Sequence, residues 1–185
     1  MLAAPCQGLI RTETGRTLSY HPESPAYRPS MNGFISYAHA DFAMFEHVRR
    51  GLAPVARAFG IDFWHDQNLH TGQDWHPEIQ AAIARADVIV ALVSYESLYS
   101  PYISDHELPA MQARSKASGT PILPVVLNQC LWEYQFGGTQ LAPTFGGKLL
   151  PVADWKPQRN GYHRACQQTA DAITRRYGPP PKGTP

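Results

Sequence analysis

A chain of 185 residues is long enough for one well-buried domain and too short for two of ordinary size. Its 43% hydrophobic and 17% charged residues are typical of a globular protein and exclude the disordered class. A formal net charge of +1, with no cluster of Lys or Arg, argues against nucleic acid as a partner.

The same composition argues against a membrane or a secreted protein. No run approaches the roughly 18 apolar residues of a membrane span, and the N-terminus lacks the basic start and apolar stretch of a signal peptide. The three cysteines, Cys6, Cys130 and Cys166, are widely spaced and odd in number, which is no disulfide framework. We therefore expect a cytoplasmic protein without membrane contact.

Both ends of the chain differ from its middle. Residues 1–30 contain repeated prolines and no lasting hydrophobic period, which predicts a poorly ordered leader or linker. Residues 179–185 are again rich in proline, which predicts a disordered tail. One domain is expected between them, over residues 31–178.

Within that domain, strand-like and helix-like segments alternate. The apolar runs predicted as strands are GFISYA, IDFWH, DVIVALVS, PILPVVL and KLLPVA. A helical spacing of apolar residues runs from Asp41 to Phe59, where Pro54 is expected to kink or split the helix. Further helices are predicted over WHPEIQAAIARA, over the segment leading to Lys116, and over a last segment that ends at Gly178.

This order predicts an α/β fold, a flavodoxin-like doubly wound sheet of five parallel strands with helices on both sides. In such folds ligands bind beyond the carboxyl ends of the strands, where the winding reverses beside the first strand. The first strand ends in the run SYAH, residues 36–39, and the third ends at Ser94, ahead of the segment that carries Glu107. Topology therefore predicts that these polar and aromatic segments share one crevice.

Three segments resemble, in order and spacing, the conserved boxes of a bacterial TIR (Toll/interleukin-1 receptor) domain. They are FISYAHAD, FWHDQNLHTGQDWHPEIQAAIARADVIVALVS and SLYSPYISDHELPAM. The resemblance runs from about Gly33 to Leu127 and more loosely to the last helix, and the family's fold is the five-stranded flavodoxin-like sheet. Many TIR domains are NAD-cleaving enzymes, whereas others are adaptors that assemble signalling complexes.

The resemblance implies a set of site residues. The NAD-cleaving members use one glutamate on the helix after the third strand, a position matched by Glu107. The end of the first strand walls their nucleotide pocket, and the loop after the second strand, here Asp66 to Asp74, shapes the pocket and contacts other subunits. Glu107 is thus the implied catalytic residue, and the implied substrate-binding residues are Ser36, Tyr37, Ala38, Asp66, Trp75 and Tyr102.

Two departures from the family pattern stand out. Several members carry a tryptophan four residues before the glutamate, where this chain has Ile103, and the nearest aromatic residue is Tyr102. The basic residues that some members carry after the first strand are replaced by Ala38 and His39. Phosphate contacts are then expected from backbone amides at helix N-termini.

The chemistry explains why a solitary carboxylate is enough. Cleavage of the nicotinamide–ribose bond passes through an oxocarbenium-like state. Nicotinamide leaves as a neutral base from a cationic precursor, so no acid is required. One carboxylate near the ribose is enough, either to hold its hydroxyls or to stabilise the developing positive charge. If Tyr102 and Trp75 shield Glu107 from water, the pKa of its carboxyl group should rise.

A structural role for Glu107 competes with this one. Ser104 and Glu107 have the Ser-x-x-Glu spacing of a capping box, in which the glutamate satisfies a backbone N–H at the start of a helix. Pro109 counts against that interpretation, because it would fall inside the helix where a donor is wanted. The two roles are not mutually exclusive.

Other chemistries find less support. The histidines around the second-strand loop match no common metal-ligand spacing, so no metal is expected. Ser36 and Ser94 lie at strand ends but not in a nucleophile elbow. A phosphoacceptor receiver on the same fold would need acidic residues at those two positions.

The function that follows from the resemblance is that of an NAD+ nucleosidase, a hydrolase acting on an N-glycosidic bond. NAD+ would be its substrate, no cofactor is expected, and nicotinamide leaves with ADP-ribose or a cyclic isomer. The resemblance also implies a role in bacterial immune or anti-phage signalling and self-association through TIR–TIR contacts. A separate sensor protein is a further partner that it allows. The alternative is a non-catalytic TIR scaffold that acts only through protein contacts.

Overall fold

The computed structural model describes residues 31–66 and 75–180, together with the backbone of residues 10–11 and 17–18. Most of the predicted leader and residues 181–185 of the predicted tail therefore lie outside the described residues. Within the leader, β1 (Ile10–Arg11) and β2 (Thr17–Leu18) pair antiparallel. The boundaries of the leader and tail stay predictions. In the described ranges, no helix combines the length and the hydropathy needed to cross a bilayer.

Four parallel strands form the central sheet: β3 (Met31–Ser36), β4 (Ile61–Trp64), β5 (Val88–Val93) and β6 (Ile122–Val126). Their spatial order is β4-β3-β5-β6. The chain thus winds outward from β3 to β4, crosses back to β5 and continues to β6, so the winding reverses between β3 and β5. Every residue of β5 is buried, as its unbroken apolar sequence predicts. The predicted α/β, doubly wound architecture is confirmed.

The helices are α1 (Phe42–Phe59), α2 (Trp75–Arg85), α3 (Tyr95–Tyr99), α4 (Leu108–Ser118), α5 (Glu133–Phe136) and α6 (Gln158–Tyr177). Successive strand residues point to opposite faces of the sheet, and this alternation divides the core. Ile35 and Val90 pack with α1 and α6 on one face, whereas Phe34 and Ile89 pack with α2 and α4 on the other.

Pro54 does not split α1, contrary to the sequence-based expectation. The helix continues for 18 residues and ends at Gly60, which adopts the left-handed conformation. Pro54 lies on the exposed side, while Leu52 before it and Phe59 after it are buried in the core. Core packing on both sides of the proline therefore outweighs its cost in a helix interior, about 3 kcal/mol.

The segment predicted as a fifth strand does not join the sheet. It contributes β8 (Lys148–Leu149), which pairs antiparallel with β7 (Thr144–Phe145). The turn between them contains Gly146 and Gly147, both with positive φ, a conformation that suits glycine. A short hairpin thus forms where the sequence analysis expected a parallel strand.

Ala142 occupies the outer position beside β6. Its N–H donates to the carbonyl of Pro124 at 3.0 Å, and its carbonyl accepts from the N–H of Val126 at 2.7 Å. The next residue, Pro143, has no amide hydrogen and cannot extend the ladder. Among the described residues the parallel sheet therefore has four strands rather than five.

Candidate active site

A cavity of about 560 Å³ opens at the carboxyl end of β3, beside the point where the winding reverses. Its volume falls within the range of about 300–1,000 Å³ that small-molecule sites occupy. Every site residue singled out from the sequence lines it: Ser36, Tyr37, Ala38, Asp66, Trp75, Tyr102 and Glu107. The structure thus brings these residues together, while their catalytic and binding roles stay predictions.

Glu107 is the buried acid of this cavity, with 7% of its surface exposed. The hydroxyl of Ser36, at the end of β3, donates to Glu107 Oε2 at 2.6 Å. Burial raises the pKa of Glu107 to about 7; the hydrogen bond from Ser36 opposes this rise, and the negative charge of Asp66 adds to it. A carboxyl group with this pKa exists in both its neutral and its ionised form near neutral pH.

The helix that carries Glu107 begins at Ser100. The hydroxyl of Ser100 accepts from the N–H of Ile103 at 3.4 Å, and Pro101 follows at the first helical position, where proline is well tolerated. Residues 103–107 then adopt a π-helical register, in which the N–H of Leu108 donates to the carbonyl of Ile103. Such π-helical turns inside α-helices are frequent at functional sites.

This geometry contradicts the capping-box interpretation of Glu107. Ser104 lies inside the helical run, and its hydroxyl donates to the carbonyl of Leu98 at 3.4 Å. The helix N-terminus in front of α4 has no side-chain cap hydrogen bond, and Glu107 accepts from Ser36 instead. Pro109 is the second residue of α4 and follows the π-helical turn, so it does not lie in a helix that begins at Ser104.

Aromatic side chains from two helices form one wall of the cavity. The rings of Trp75 and Tyr102 lie 4.4 Å apart between centroids, and His76 Nδ1 lies 3.0 Å from the Tyr102 hydroxyl. These contacts hold Tyr102 against α2. Ile103, at the position where several family members carry tryptophan, is buried and also lines the cavity.

Trp64 adds an aromatic wall that the sequence analysis did not single out. It lies at the end of β4, stacks on Phe34 with ring centroids 5.6 Å apart, and lines the cavity. The available signal was positional, because ligands in doubly wound folds bind beyond the carboxyl ends of strands. Glu96, one residue into α3, was missed although the same rule applied to it.

Asp66 connects the end of β3 to the beginning of the second-strand loop. The Tyr37 hydroxyl donates to Asp66 Oδ1 at 2.5 Å, and His39 Nε2 lies 3.1 Å from Asp66 Oδ2. The ring of Tyr37 also stacks on Phe45, with centroids 4.0 Å apart. Tyr37 therefore packs on the core and presents its hydroxyl at the cavity. Residues 67–74 of the loop lie outside the described residues.

A second buried carboxylate, Asp41, lies behind the cavity wall. It ends the short 3-10 turn His39–Asp41 and accepts a hydrogen bond from the hydroxyl of Ser94. Burial raises the pKa of Asp41, the bond from Ser94 lowers it, and the charge of Glu96 raises it again. Ser94 also accepts from the N–H of Ser97 at 2.9 Å and so caps α3. Its hydroxyl is thus engaged in structural bonds.

The histidines near the cavity make ring contacts rather than a metal site. His76 and His106 lie 5.1 Å apart between ring centroids. In the part of the chain that the structure describes, no group of three His, Cys, Asp or Glu residues could hold a metal ion.

Comparison with known proteins agrees with this architecture. The family profile described as "TIR domain" matches residues 34–160, a range that runs from within β3 to the start of α6 and contains every implied site residue. The chain is 28% identical over 152 residues to the uncharacterized protein y4lF of Sinorhizobium fredii; the alignment covers 80% of this chain and 46% of that protein. The chain thus spans about half the length of this curated relative. On the profile match and the fold together, the chain belongs to the TIR domain family.

Proposed function

We propose that this TIR domain is an NAD+ glycohydrolase, with Glu107 as its catalytic residue. The observation that carries the proposal is a single buried carboxylate, held by the hydroxyl of Ser36 in an aromatic-walled cavity of ligand size. A structural acid has no need of such a cavity. The resemblance of the surrounding segments to the NAD-cleaving TIR domains supports the same conclusion.

The reaction needs no general acid. The bond between ribose C1′ and the pyridinium nitrogen breaks, and its electron pair neutralises the ring, so nicotinamide leaves as a neutral base. Water then adds to the oxocarbenium-like ribose and releases a proton, which yields ADP-ribose. In the ionised form, Glu107 stabilises the positive charge on the ribose and can accept this proton.

The other cavity residues assist in binding and orientation. Ser36 fixes one carboxyl oxygen of Glu107, so the other oxygen can face the ribose. Trp64, Trp75 and Tyr102 offer aromatic faces, which attract a flat cationic ring through cation–π interaction. The buried side chain of Ile103 adds an apolar surface that limits the access of water.

The remaining parts of the proposal rest on the family resemblance. They are a cytoplasmic location, a role in bacterial immune or anti-phage signalling, and activity that depends on self-association or on a separate sensor protein. NAD+ is the substrate and the reaction uses no additional cofactor. The product is ADP-ribose or its cyclic isomer.

The proposal is tested by measuring nicotinamide release from NAD+ by the purified chain at high concentration. We expect Glu107→Gln to reduce kcat at least about 100-fold, because the transition state loses its charge partner. Glu133→Gln is the matched control, since Glu133 is exposed and does not line the cavity. Equal release by the Glu107→Gln variant would contradict the catalytic role.

The scaffold alternative is favoured by one observation, an exposed apolar surface on α3 and around α5. It comprises Tyr95, Tyr99, Leu131 and Tyr134, which are between 63% and 87% exposed. Surfaces of this kind often mark protein contacts. If neither the wild-type chain nor its variants release nicotinamide, even in assemblies formed at high concentration, the scaffold function is supported instead.

A further inference from the structure

The charge of the cavity distinguishes one end of a dinucleotide from the other. Three carboxylates line it, those of Asp66, Glu96 and Glu107, and none of the described lining residues is Lys or Arg. Residues 67–74 lie outside the described residues, and their sequence, QNLHTGQD, contains no Lys or Arg. His39 is the one basic side chain among the described lining residues, and it already pairs with Asp66.

At the N-termini of α3 and of the helical run that follows it, three backbone amides are already paired within the chain. In α3, the N–H of Tyr95 donates to Asn128 Oδ1 and the N–H of Ser97 donates to the hydroxyl of Ser94. At the start of the next helical run, the N–H of Ile103 donates to Ser100. These three amides are therefore not free for phosphate, and the expectation of phosphate contacts at other helix N-termini stays a prediction.

We infer that the site selects its substrate by the cationic nicotinamide riboside end, and that Glu96 is a specificity-determining residue that disfavours additional phosphate groups. This inference rests on the proposed function. Glu96 is exposed on α3 and lines the cavity, and in the described part of the chain the hydrogen-bond partner of Glu107 is Ser36 rather than Glu96. Its charge attracts a pyridinium ring and repels phosphates on the approach to the cavity.

The inference ranks three substrates that share the same scissile bond. Nicotinamide riboside carries only the ring's positive charge, NAD+ adds a pyrophosphate, and NADP+ adds one more phosphate. We expect kcat/KM for nicotinamide riboside to equal or exceed that for NAD+, and kcat/KM for NADP+ to be at least about tenfold lower than for NAD+. Added salt should narrow the difference between NAD+ and NADP+, because it screens exposed charges.

The decisive experiment compares Glu96→Lys with Glu133→Lys, which makes the same change of charge at an exposed acid outside the cavity. Nicotinamide release from the three substrates is measured at low and high salt. We expect Glu96→Lys to raise the NADP+/NAD+ ratio of kcat/KM about fivefold or more, and Glu133→Lys to leave it unchanged. The inference is overturned if the wild-type chain uses NADP+ as well as NAD+, fails to cleave nicotinamide riboside while cleaving NAD+, or responds equally to both substitutions.

Failure of the proposed function would look different. If no substrate is cleaved, calorimetric binding of nicotinamide riboside and NADP+ to the wild-type chain decides the question. A dissociation constant at least about tenfold lower for nicotinamide riboside sustains the charge selection without catalysis. Equal affinity, tighter binding of NADP+, or binding of neither compound overturns it.

Discussion

The pKa of a buried carboxyl group depends on the hydrogen-bond donors and the charges around it. For Glu107 these are one donor, Ser36, and one charge, that of Asp66. The hydrogen bond from Ser36 favours the ionised form, whereas the charge of Asp66 disfavours it. Both neighbours line the same cavity. Substitutions at these two positions should therefore move the pKa of Glu107 in opposite directions.

The pH dependence of activity follows from this arrangement. If the ionised form is the active one, kcat/KM for nicotinamide release rises with pH and levels off above a pKa of about 7. Ser36→Ala should move that rise to higher pH by about one unit, and Asp66→Asn should move it to lower pH. The measurement is kcat/KM from about pH 5 to pH 9.

Ser118→Ala serves as the control for this pair, because Ser118 lies at the exposed end of α4 and outside the cavity. Its profile should match that of the wild-type chain. Shifts of Ser36→Ala and Asp66→Asn in the same direction would show that another group determines the profile.

At the scale of elements, the π-helical register at 103–107 determines which side of the helix Glu107 occupies. Each residue of an α-helix turns the chain by about 100°, so a turn that is one residue wider changes the direction of the side chains around it. The wider turn lies directly before Pro109, which cannot donate a hydrogen bond and clashes with a carbonyl four residues earlier in a regular helix. We infer that Pro109 helps to maintain the register.

Pro109→Ala tests this link between register and activity. The alanine permits a regular helix, so we expect unfolding free energy to change by less than about 1 kcal/mol while kcat/KM falls about tenfold or more through misplacement of Glu107. Pro54→Ala removes a proline from the interior of α1. Because Pro54 does not line the cavity, this variant should leave kcat/KM unchanged. Full activity of the Pro109→Ala variant would show that Pro109 is not needed to position Glu107.

Much of this architecture could be predicted from local patterns. The unbroken apolar run of β5 and the helical spacing in α1 gave their elements correctly, because each is set by which residues must be buried. The fifth strand of the parallel sheet is not confirmed, and of the two effects expected of Pro54, a kink or a split of α1, the split does not occur. In both cases a property of one or two residues competed with the packing of distant ones, and that competition is not visible in a local window.

The candidate site, too, could be predicted only in part from the sequence. Topology predicted that the end of the first strand and the segment carrying Glu107 share one crevice, because the carboxyl ends of parallel strands meet at one edge. The other candidate site residues came from the family resemblance. The sequence did not predict that Ser36, 71 residues away, is the hydrogen-bond partner of Glu107. Nor did it predict the π-helical register at 103–107, which replaces the capping box expected between Ser104 and Glu107. These features depend on tertiary contacts between segments whose sequences are each compatible with more than one local structure.

At the scale of the whole molecule, Glu107 affects stability as well as chemistry. Its pKa in the folded chain, about 7, exceeds its ordinary value of 4.5. The folded chain therefore binds the proton of Glu107 more tightly than the unfolded chain does. The resulting contribution to the free energy of unfolding is fully present below pH 4.5 and is lost as pH rises through about 7. At about 1.4 kcal/mol for each pKa unit, the change amounts to about 3 kcal/mol.

Glu107→Gln removes this pH dependence while its amide can still accept from Ser36. We expect the variant to gain stability relative to the wild-type chain as pH rises from about 4.5 to about 8, by up to about 3 kcal/mol. Urea unfolding at several pH values measures the difference, and Glu133→Gln is the control for loss of an exposed acid. The raised pKa of Asp41 is common to the wild-type chain and both variants, so its effect on stability cancels in the comparison. A difference that stays constant with pH would contradict the buried, raised-pKa state of Glu107.

The bond between Ser36 and Glu107 has a further consequence during synthesis of the chain on the ribosome. Ser36 emerges 71 residues before its partner, and Trp75 and Tyr102, which form an aromatic wall of the cavity, are also made later. A nascent chain therefore carries Ser36 and Asp66 before it carries Glu107. If the chain is the NAD+ glycohydrolase proposed above, its activity would begin only once Glu107 and the rest of the domain have been made.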